Sequence, residues 1–236
     1  MRAAVLYAQR QPLVVEEVNL DPPRSGELLV RLHATVICHS DVHYYTGDNP
    51  WSGKPKILGH EGAGVVEALG PDVSGFELGE HVVLTFLASC GRCSWCHTGH
   101  PTLCDMGAHV ERGRMLDGTY RHHRASDGTE IENLALLSTF AEWAVVPAAS
   151  AVKVPRHLPL DRLCLLGCGF STGFGAVTNA ARVRPGESVL IVGCGGLGLA
   201  AIQGARSAGA SMIIAVDVHE EKLTMARGMG ATHTVR

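Results

Sequence analysis

Eight cysteines divide by spacing into two groups. Cys90, Cys93 and Cys96 follow one another at intervals of three, and Cys104 closes the run eight residues later. Thiolates so spaced point inward from a tight turn, and four of them complete a tetrahedral zinc shell with no open position. Such a metal staples a loop and does no chemistry. Buried or disulfide-bonded cysteines are the alternative, and that spacing in a reducing compartment favours metal. Cys38, Cys164, Cys168 and Cys194 remain. Cys194 lies inside a Gly-rich turn and Cys164 in an apolar stretch, where a small hydrophobe suffices. Cys38 opens the run Cys38-His39-Ser40-Asp41-Val42-His43, dense in ligands and proton carriers, and Cys168 stands between Gly167 and Gly169. With His60 they supply two sulfurs and one nitrogen, and three protein ligands with an open fourth position form a catalytic zinc site. Each histidine taken alone has a surface or packing role as its alternative. Gly59, Gly62 and Gly64 around His60-Glu61 predict close backbone approach or special dihedrals there.

A second chemistry lies further on. Ser188–Val192 is a continuous apolar strand leading into Gly193-Cys194-Gly195-Gly196-Leu197-Gly198. An Ala-rich helix then runs to about Ala208, and the strand Met212–Val216 ends at Asp217. A Gly-rich triplet alone is a weak sign. Strand before, helix after and an acid at the end of the second strand make a dinucleotide-binding βαβ unit. Gly193 permits the tight turn, Gly195 lets a pyrophosphate approach the backbone, and Gly198 lets the helix pack on its strand. Asp217 is placed to accept hydrogen bonds from the adenosine ribose, and its charge favours NAD over NADP.

The elements that must position these groups change character along the chain. Ala3–Tyr7, Leu13–Val18, Leu28–Thr35, Val82–Thr85 and Thr139–Val146 read as strands, with a Pro-Ser-Gly turn at 21–26. Residues 107–137 read as an extended loop with room for a hairpin. Leu163–Ala181 reads as a helix interrupted by glycines, and Glu220–Met229 as another. The 236 residues, 46% hydrophobic, suit a β catalytic domain over 1–160 and an α/β coenzyme domain over 161–236. A net charge of -3 without a basic run argues against nucleic acid, including a zinc module built on the four lobe cysteines. No signal-peptide pattern or membrane-length apolar run is present, which points to a cytoplasmic protein. A dinucleotide sheet typically has six parallel strands, and the third only begins at Thr232–Val235. The expectation is a C-terminally truncated chain.

Together, Cys38-His39-Ser40-Asp41, Gly59-His60-Glu61-Gly62-Ala63-Gly64, the cysteine lobe and Gly167-Cys168-Gly169-Phe170-Ser171-Thr172-Gly173 resemble the zinc-dependent medium-chain alcohol dehydrogenases. The resemblance covers essentially the whole chain in the family's order. It implies a GroES-like β-barrel catalytic domain followed by an incomplete Rossmann domain with a doubly wound parallel sheet. It implies two zinc ions, one held by Cys38, His60 and Cys168, the other structural in the lobe. Glu61 resembles the acid behind the catalytic metal and Asp41 the carboxylate that orients the ligand histidine. Ser40 resembles the hydroxyl that takes the substrate proton, and His43 the imidazole that passes it to solvent. His39 is expected at the coenzyme pyrophosphate, Thr172 near the nicotinamide, and Lys222 at the adenosine ribose. The implied reaction is hydride transfer from a primary or secondary alcohol to NAD. Cys168 separates the chain from the polyol branch, and the lobe separates it from the zinc-free quinone reductases. Asp117-Gly118-Thr119-Tyr120-Arg121 and Ser138-Thr139-Phe140-Ala141-Glu142 look closest to the class III-like bacterial branch. Oxidation of a formaldehyde–thiol adduct is therefore the second activity to weigh, and an inactive zinc-stabilised fragment the third reading. The small-molecule substrate is the main partner, with a homo-oligomer expected for the full-length protein.

Overall fold

Apolar and β-rich stretches in the first part of the chain become short, mostly antiparallel strands, several of which pair far along the sequence. The computed structural model describes residues 1–236 in two compact units, Met1–Gly167 and Cys168–Arg236. The first unit holds, in order, strands β1 (Arg2–Leu6), β2 (Val14–Leu20) and β3 (Glu27–Thr35), helix α1 (His39–Thr46), then β4 (Lys56–Ile57), β5 (Gly62–Leu69) and β6 (His81–Leu84). Helix α2 (Ser94–His97), strands β7 (His122–Arg124), β8 (Glu130–Asn133), β9 (Trp143–Pro147) and β10 (Ala151–Val154), and helix α3 (Leu160–Leu163) complete it. A closed barrel runs β1-β2-β7-β8-β4, and a five-stranded sheet runs β10-β6-β5-β3-β9. Ala3, Val5, Val18, Ile57 and Ile131 bury together in the barrel. Leu28, Val30, Val66, Val82, Leu84 and Val146 form the core of the sheet. Each buried Val, Leu or Ile among them contributes about 1.5–3 kcal/mol by leaving water.

The expected hairpin within 107–137 is present as β7 and β8, closed by Asp127-Gly128. Arg121, fully buried, ties this segment down by a two-pronged bond to Glu27 at 2.9 and 2.7 Å. Two secondary-structure expectations need correction. The strand expected over 139–146 begins only at Trp143, because Ser138 and Thr139 are buried in polar contacts described below. The helix expected over 163–181 is broken: a 3-10 turn spans Cys164–Gly167, and Cys168, at φ -150 and ψ -71, stops it. Leu160 and Cys164 bury against Ala63 and Val83, so the first compact unit includes them and runs to Gly167.

Next to Arg121, His122 is wholly buried, its Nδ1 3.0 Å from Asn133 Oδ1, and burial pushes its pKa down to about 4. In the unfolded chain the imidazole protonates near its ordinary 6.5. The stability it confers is thus whole above pH 6.5 and is lost as pH falls toward 4, amounting to about 2 kcal/mol at pH 5. His122→Gln should flatten this part of the acid slope in urea titrations at pH 7 and pH 5. An unchanged slope would mean that the ring is solvated in the folded state.

The second unit holds α4 (Gly169–Gly175), β11 (Ser188–Val192), α5 (Gly196–Ser207), β12 (Met212–Val216), α6 (Glu220–Met229) and β13 (His233–Val235). Its three strands are parallel in the order β11-β12-β13, the start of a doubly wound sheet. Ile191, Ile202, Ala205, Ile213, Ala215, Leu223 and Ala226 bury between sheet and helices. No single helix in the chain is long and apolar enough to cross a membrane.

Candidate functional site

The four lobe cysteines converge, their sulfurs all within 4.8 Å of one another. Cys90 and Cys96 stand 3.9 Å apart, as do Cys93 and Cys104. A tetrahedral shell with zinc–sulfur bonds of about 2.3 Å has sulfur–sulfur edges of about 3.8 Å, so the cluster fits zinc. All eight cysteines are free, which removes the disulfide alternative. Backbone amides sustain the thiolates that a metal requires. The N–H groups of Asp105 and Cys96 bring Cys93 down to about 6, and those of Arg92 and Cys93 lower Cys90. Burial instead pushes Cys104 up to about 11. From Ser89 to Arg112 only Cys104 is buried, so the lobe has no apolar core of its own.

The second cluster is assembled by α1 and by the turn into β5. Cys38 caps α1, and the Asp41 carboxylate accepts its N–H at 3.0 Å. The other Asp41 oxygen accepts from Gly59 N–H at 3.0 Å and lies 3.2 Å from His60 Nδ1. A carboxylate only accepts, so Nδ1 carries the proton and Nε2 keeps its lone pair for a metal. Asp41, His60 and Glu61 are all buried, and the His60 ring meets Phe86 edge to face at 5.5 Å. The donor atoms of Cys38, His60 and Glu61 lie within 4.8 Å of one another. Sulfur, imidazole and carboxylate at this range fit zinc. Gly59 has φ +91, and a Cβ there would stand 2.4 Å from Thr139 Oγ1, so the turn demands glycine as expected.

Around this cluster Ser40 and His39 are exposed, and Ser40 Oγ is 3.8 Å from Cys38 Sγ. His43 is half-exposed, packs edge to face on His39 at 5.0 Å, and presents Nδ1 to Asp48 Oδ2 at 3.1 Å. Asp48 had no sequence signal that marked it out. Gly167 abuts the turn: a Cβ on it would stand 2.4 Å from Leu84 O and 3.5 Å from Glu61 Cα. Cys168 is the next residue, and its sulfur is 3.9 Å from Thr172 Oγ1.

In the second unit the Gly-rich turn follows the sequence reading closely. Gly193 has φ +91, and a Cβ on Gly198 would stand 1.9 Å from Gly193 O, so helix and strand are as near as backbones allow. Helix α5 starts at Gly196, and the N–H groups of Gly196, Leu197 and Gly198 in its first turn have no partner within the helix, the arrangement that suits an anion. Asp217, 9% exposed, accepts from Cys194 N–H at 2.8 Å and His219 N–H at 2.9 Å. These amides hold its carboxyl below the usual carboxylate range, and half-buried Lys222 lowers it further.

Residues 24–156 match the alcohol dehydrogenase GroES-like domain, and 196–236 the zinc-binding dehydrogenase family. Alcohol dehydrogenase B of Mycobacterium tuberculosis is 43% identical over 98% of this chain and 62% of its own. S-(hydroxymethyl)glutathione dehydrogenase of Saccharomyces cerevisiae is 43% identical over 99% of this chain and 60% of its own. The NDMA-dependent alcohol dehydrogenase of Amycolatopsis methanolica is 44% identical over 98% and 62%. Among solved structures, an alcohol dehydrogenase zinc-binding domain protein from Burkholderia ambifaria superposes with a TM-score of 0.92. It is 40% identical, over 100% of this chain and 63% of that one. Benzyl alcohol dehydrogenase from Acinetobacter calcoaceticus gives 0.89 at 35% identity, over 99% and 62%. The chain thus spans under two thirds of the length of these relatives.

Proposed function

The chain belongs to the zinc-dependent medium-chain alcohol dehydrogenase family, and from that premise we propose that the whole protein oxidises an alcohol with NAD. The observation that carries this reading is the buried Asp41–His60 contact beside Cys38 and Glu61. Cys168, one peptide bond past Gly167, is the third ligand in this reading, and Glu61 the acid behind the metal. Cys90, Cys93, Cys96 and Cys104 hold the structural zinc. When bound, the catalytic zinc supplies Lewis acidity at its open position, lowering the pKa of a hydroxyl held there.

The rest of the work falls to the protein's own side chains. Asp41 fixes the His60 tautomer and ring direction. Ser40, beside Cys38, takes the alcohol proton, and His43, held by Asp48 with its ring half in water, passes it to solvent. Phe86 keeps water from one face of His60. In this reading His39 contacts the coenzyme pyrophosphate, the Gly193–Gly198 turn is the dinucleotide-binding turn of its own unit, Thr172 packs near the nicotinamide, and Asp217 with Lys222 holds the adenosine ribose. Holding the two reacting carbons in near-attack geometry supplies the remaining acceleration. We read the protein as cytoplasmic and homo-oligomeric when whole, with a small-molecule alcohol rather than nucleic acid or a membrane as its partner.

A second reading, oxidation of an S-hydroxymethyl thiol, uses the same metal and coenzyme. The likeness to the S-(hydroxymethyl)glutathione dehydrogenase of Saccharomyces cerevisiae, 43% identical, supports it as much as the alcohol dehydrogenase relatives support the first. NAD reduction by the whole protein, with primary alcohols and then with formaldehyde plus glutathione, decides between them by the ratio of kcat/KM. No NAD reduction in either assay would defeat both readings. Coenzyme choice tests the second unit independently. Asp217→Gly should raise the NADP-to-NAD ratio of kcat/KM by at least about tenfold, the effect of about 1.4 kcal/mol of relieved repulsion. An unaltered ratio would mean that Asp217 does not read the ribose.

A further inference from the structure

Six non-glycine residues have left-handed backbones, and three of them, Ala135, Leu136 and Ser138, crowd into one buried segment. Their φ values are 56, 63 and 54. Every residue from Ile131 to Thr139 is buried. Left-handed side-chain-bearing residues persist only where the surroundings enforce them, and they gather at functional sites. Here most of the enforcing contacts lie within the segment, and one ties it to Ile57. Ser138 Oγ accepts from Leu134 N–H at 3.0 Å and donates to Ile57 O at 3.0 Å, while Leu137 and Ser138 N–H both reach Leu134 O. The product of this tight winding is the placement of one side chain, that of Thr139.

Thr139 grips the chain on both sides of His60. Its N–H donates to Gly59 O at 3.0 Å, and its Oγ1 lies 3.0 Å from Glu61 O. Thr35 Oγ1 lies 2.8 Å from the same carbonyl and 2.7 Å from Thr139 Oγ1. Two hydroxyl protons serve these three contacts, so each hydroxyl fixes the other's direction. The Thr139 side chain also fills the notch left by the two flanking glycines. A Cβ on Gly59 would meet its Oγ1 at 2.4 Å, and one on Gly62 would meet its Cγ2 at 2.9 Å. Asp41 sets the direction of the His60 ring, whereas Thr139 sets the backbone from which His60 and Glu61 project.

We propose that Thr139, presented by the left-handed segment 134–138, is a positioning residue that clamps the carbonyls on either side of His60 and so holds His60 and Glu61 in metal-binding geometry. This rests on the metal reading given above. Outer contacts of this kind typically alter metal affinity by 10–100-fold. The test is Thr139→Val in the whole protein, with three readouts. These are zinc retained against a chelator, the visible spectrum after cobalt replaces the catalytic zinc, and kcat beside the KM for NAD.

The expected result is catalytic metal released at least about tenfold faster, a changed cobalt spectrum and kcat lowered about tenfold, with KM for NAD and the lobe zinc unchanged. Thr139→Ser, which keeps the hydroxyl, should restore metal retention to within about twofold. Wild-type retention and spectrum in Thr139→Val would overturn the proposal, as would Thr139→Ser as defective as Val. If Thr139→Val does not fold, Thr35→Val, which removes the other hydroxyl on Glu61 O, should loosen the same metal; unchanged retention there would also overturn it. A wild-type protein that binds only the lobe zinc would instead defeat the metal reading itself, which keeps the two failures apart.

Discussion

His60→Ala lowers turnover of the whole protein by about 10³–10⁴-fold while one zinc per chain remains. The size follows from the several kcal/mol of charge stabilisation that a catalytic metal supplies, at 1.36 kcal/mol per tenfold in rate. The substitution removes the only nitrogen from the proposed ligand set and leaves Asp41 facing a void in a buried site. Cys38 sits at the start of α1 and keeps its place through the Asp41 bond to its own N–H, so the loss is local. The lobe sulfurs belong to a separate stretch of chain, Cys90 to Cys104, and keep their metal. Metal analysis beside steady-state rates checks both halves. Loss of both metals, or near-normal turnover with one, would sink the division of labour between the two clusters.

Cys93→Ser produces the opposite pattern. Structural zinc sites in small domains contribute about 10–16 kcal/mol of folding free energy, and the lobe has nothing to replace it. Its helix is four residues long, and between Ser89 and Arg112 only Cys104 is buried. The barrel and the five-stranded sheet keep their own cores, which share no residue with the lobe. The expected outcome is one zinc lost per chain and cleavage within 89–112 accelerated at least tenfold under limited proteolysis, in line with an opened loop of low local stability. The β core should retain its circular dichroism. Unchanged zinc content and unchanged protease resistance would show that the lobe is held by its peptide contacts alone.

What was legible in the sequence was whatever depends on short spacing. Cys90, Cys93 and Cys96 declare themselves because thiols three apart share a turn, and the sulfurs do meet. The Gly193–Gly198 turn with Asp217 is equally local, since a strand, a turn and a helix must follow one another to build it. Strands β1 to β3 were readable from β-rich composition and alternation, but their partners were not, because β2 pairs with β7 about a hundred residues later. Helix α1, capped by Cys38, carries Ser40, Asp41 and His43, yet its polar composition hid its helical character. Thr139 was visible only as the start of an expected strand and as part of a family-like run. Its contact with Glu61 spans 78 residues, and no periodicity reports a bond of that reach. Cys168 interrupts the expected long helix because its backbone, at φ -150 and ψ -71, leaves the helical path after Gly167, a break that no local pattern announces.

The measurement that bears most directly on the two-metal account is zinc K-edge X-ray absorption on the purified protein. Six sulfurs shared between two zinc ions predict an average shell of about three sulfurs near 2.3 Å and one nitrogen or oxygen near 2.0–2.1 Å per metal. His60→Ala should move that average to about four sulfurs, leaving the lobe alone. A wild-type spectrum with sulfur only, or with one sulfur or fewer per zinc, would contradict the assignment of Cys38, His60 and Cys168 as a second centre.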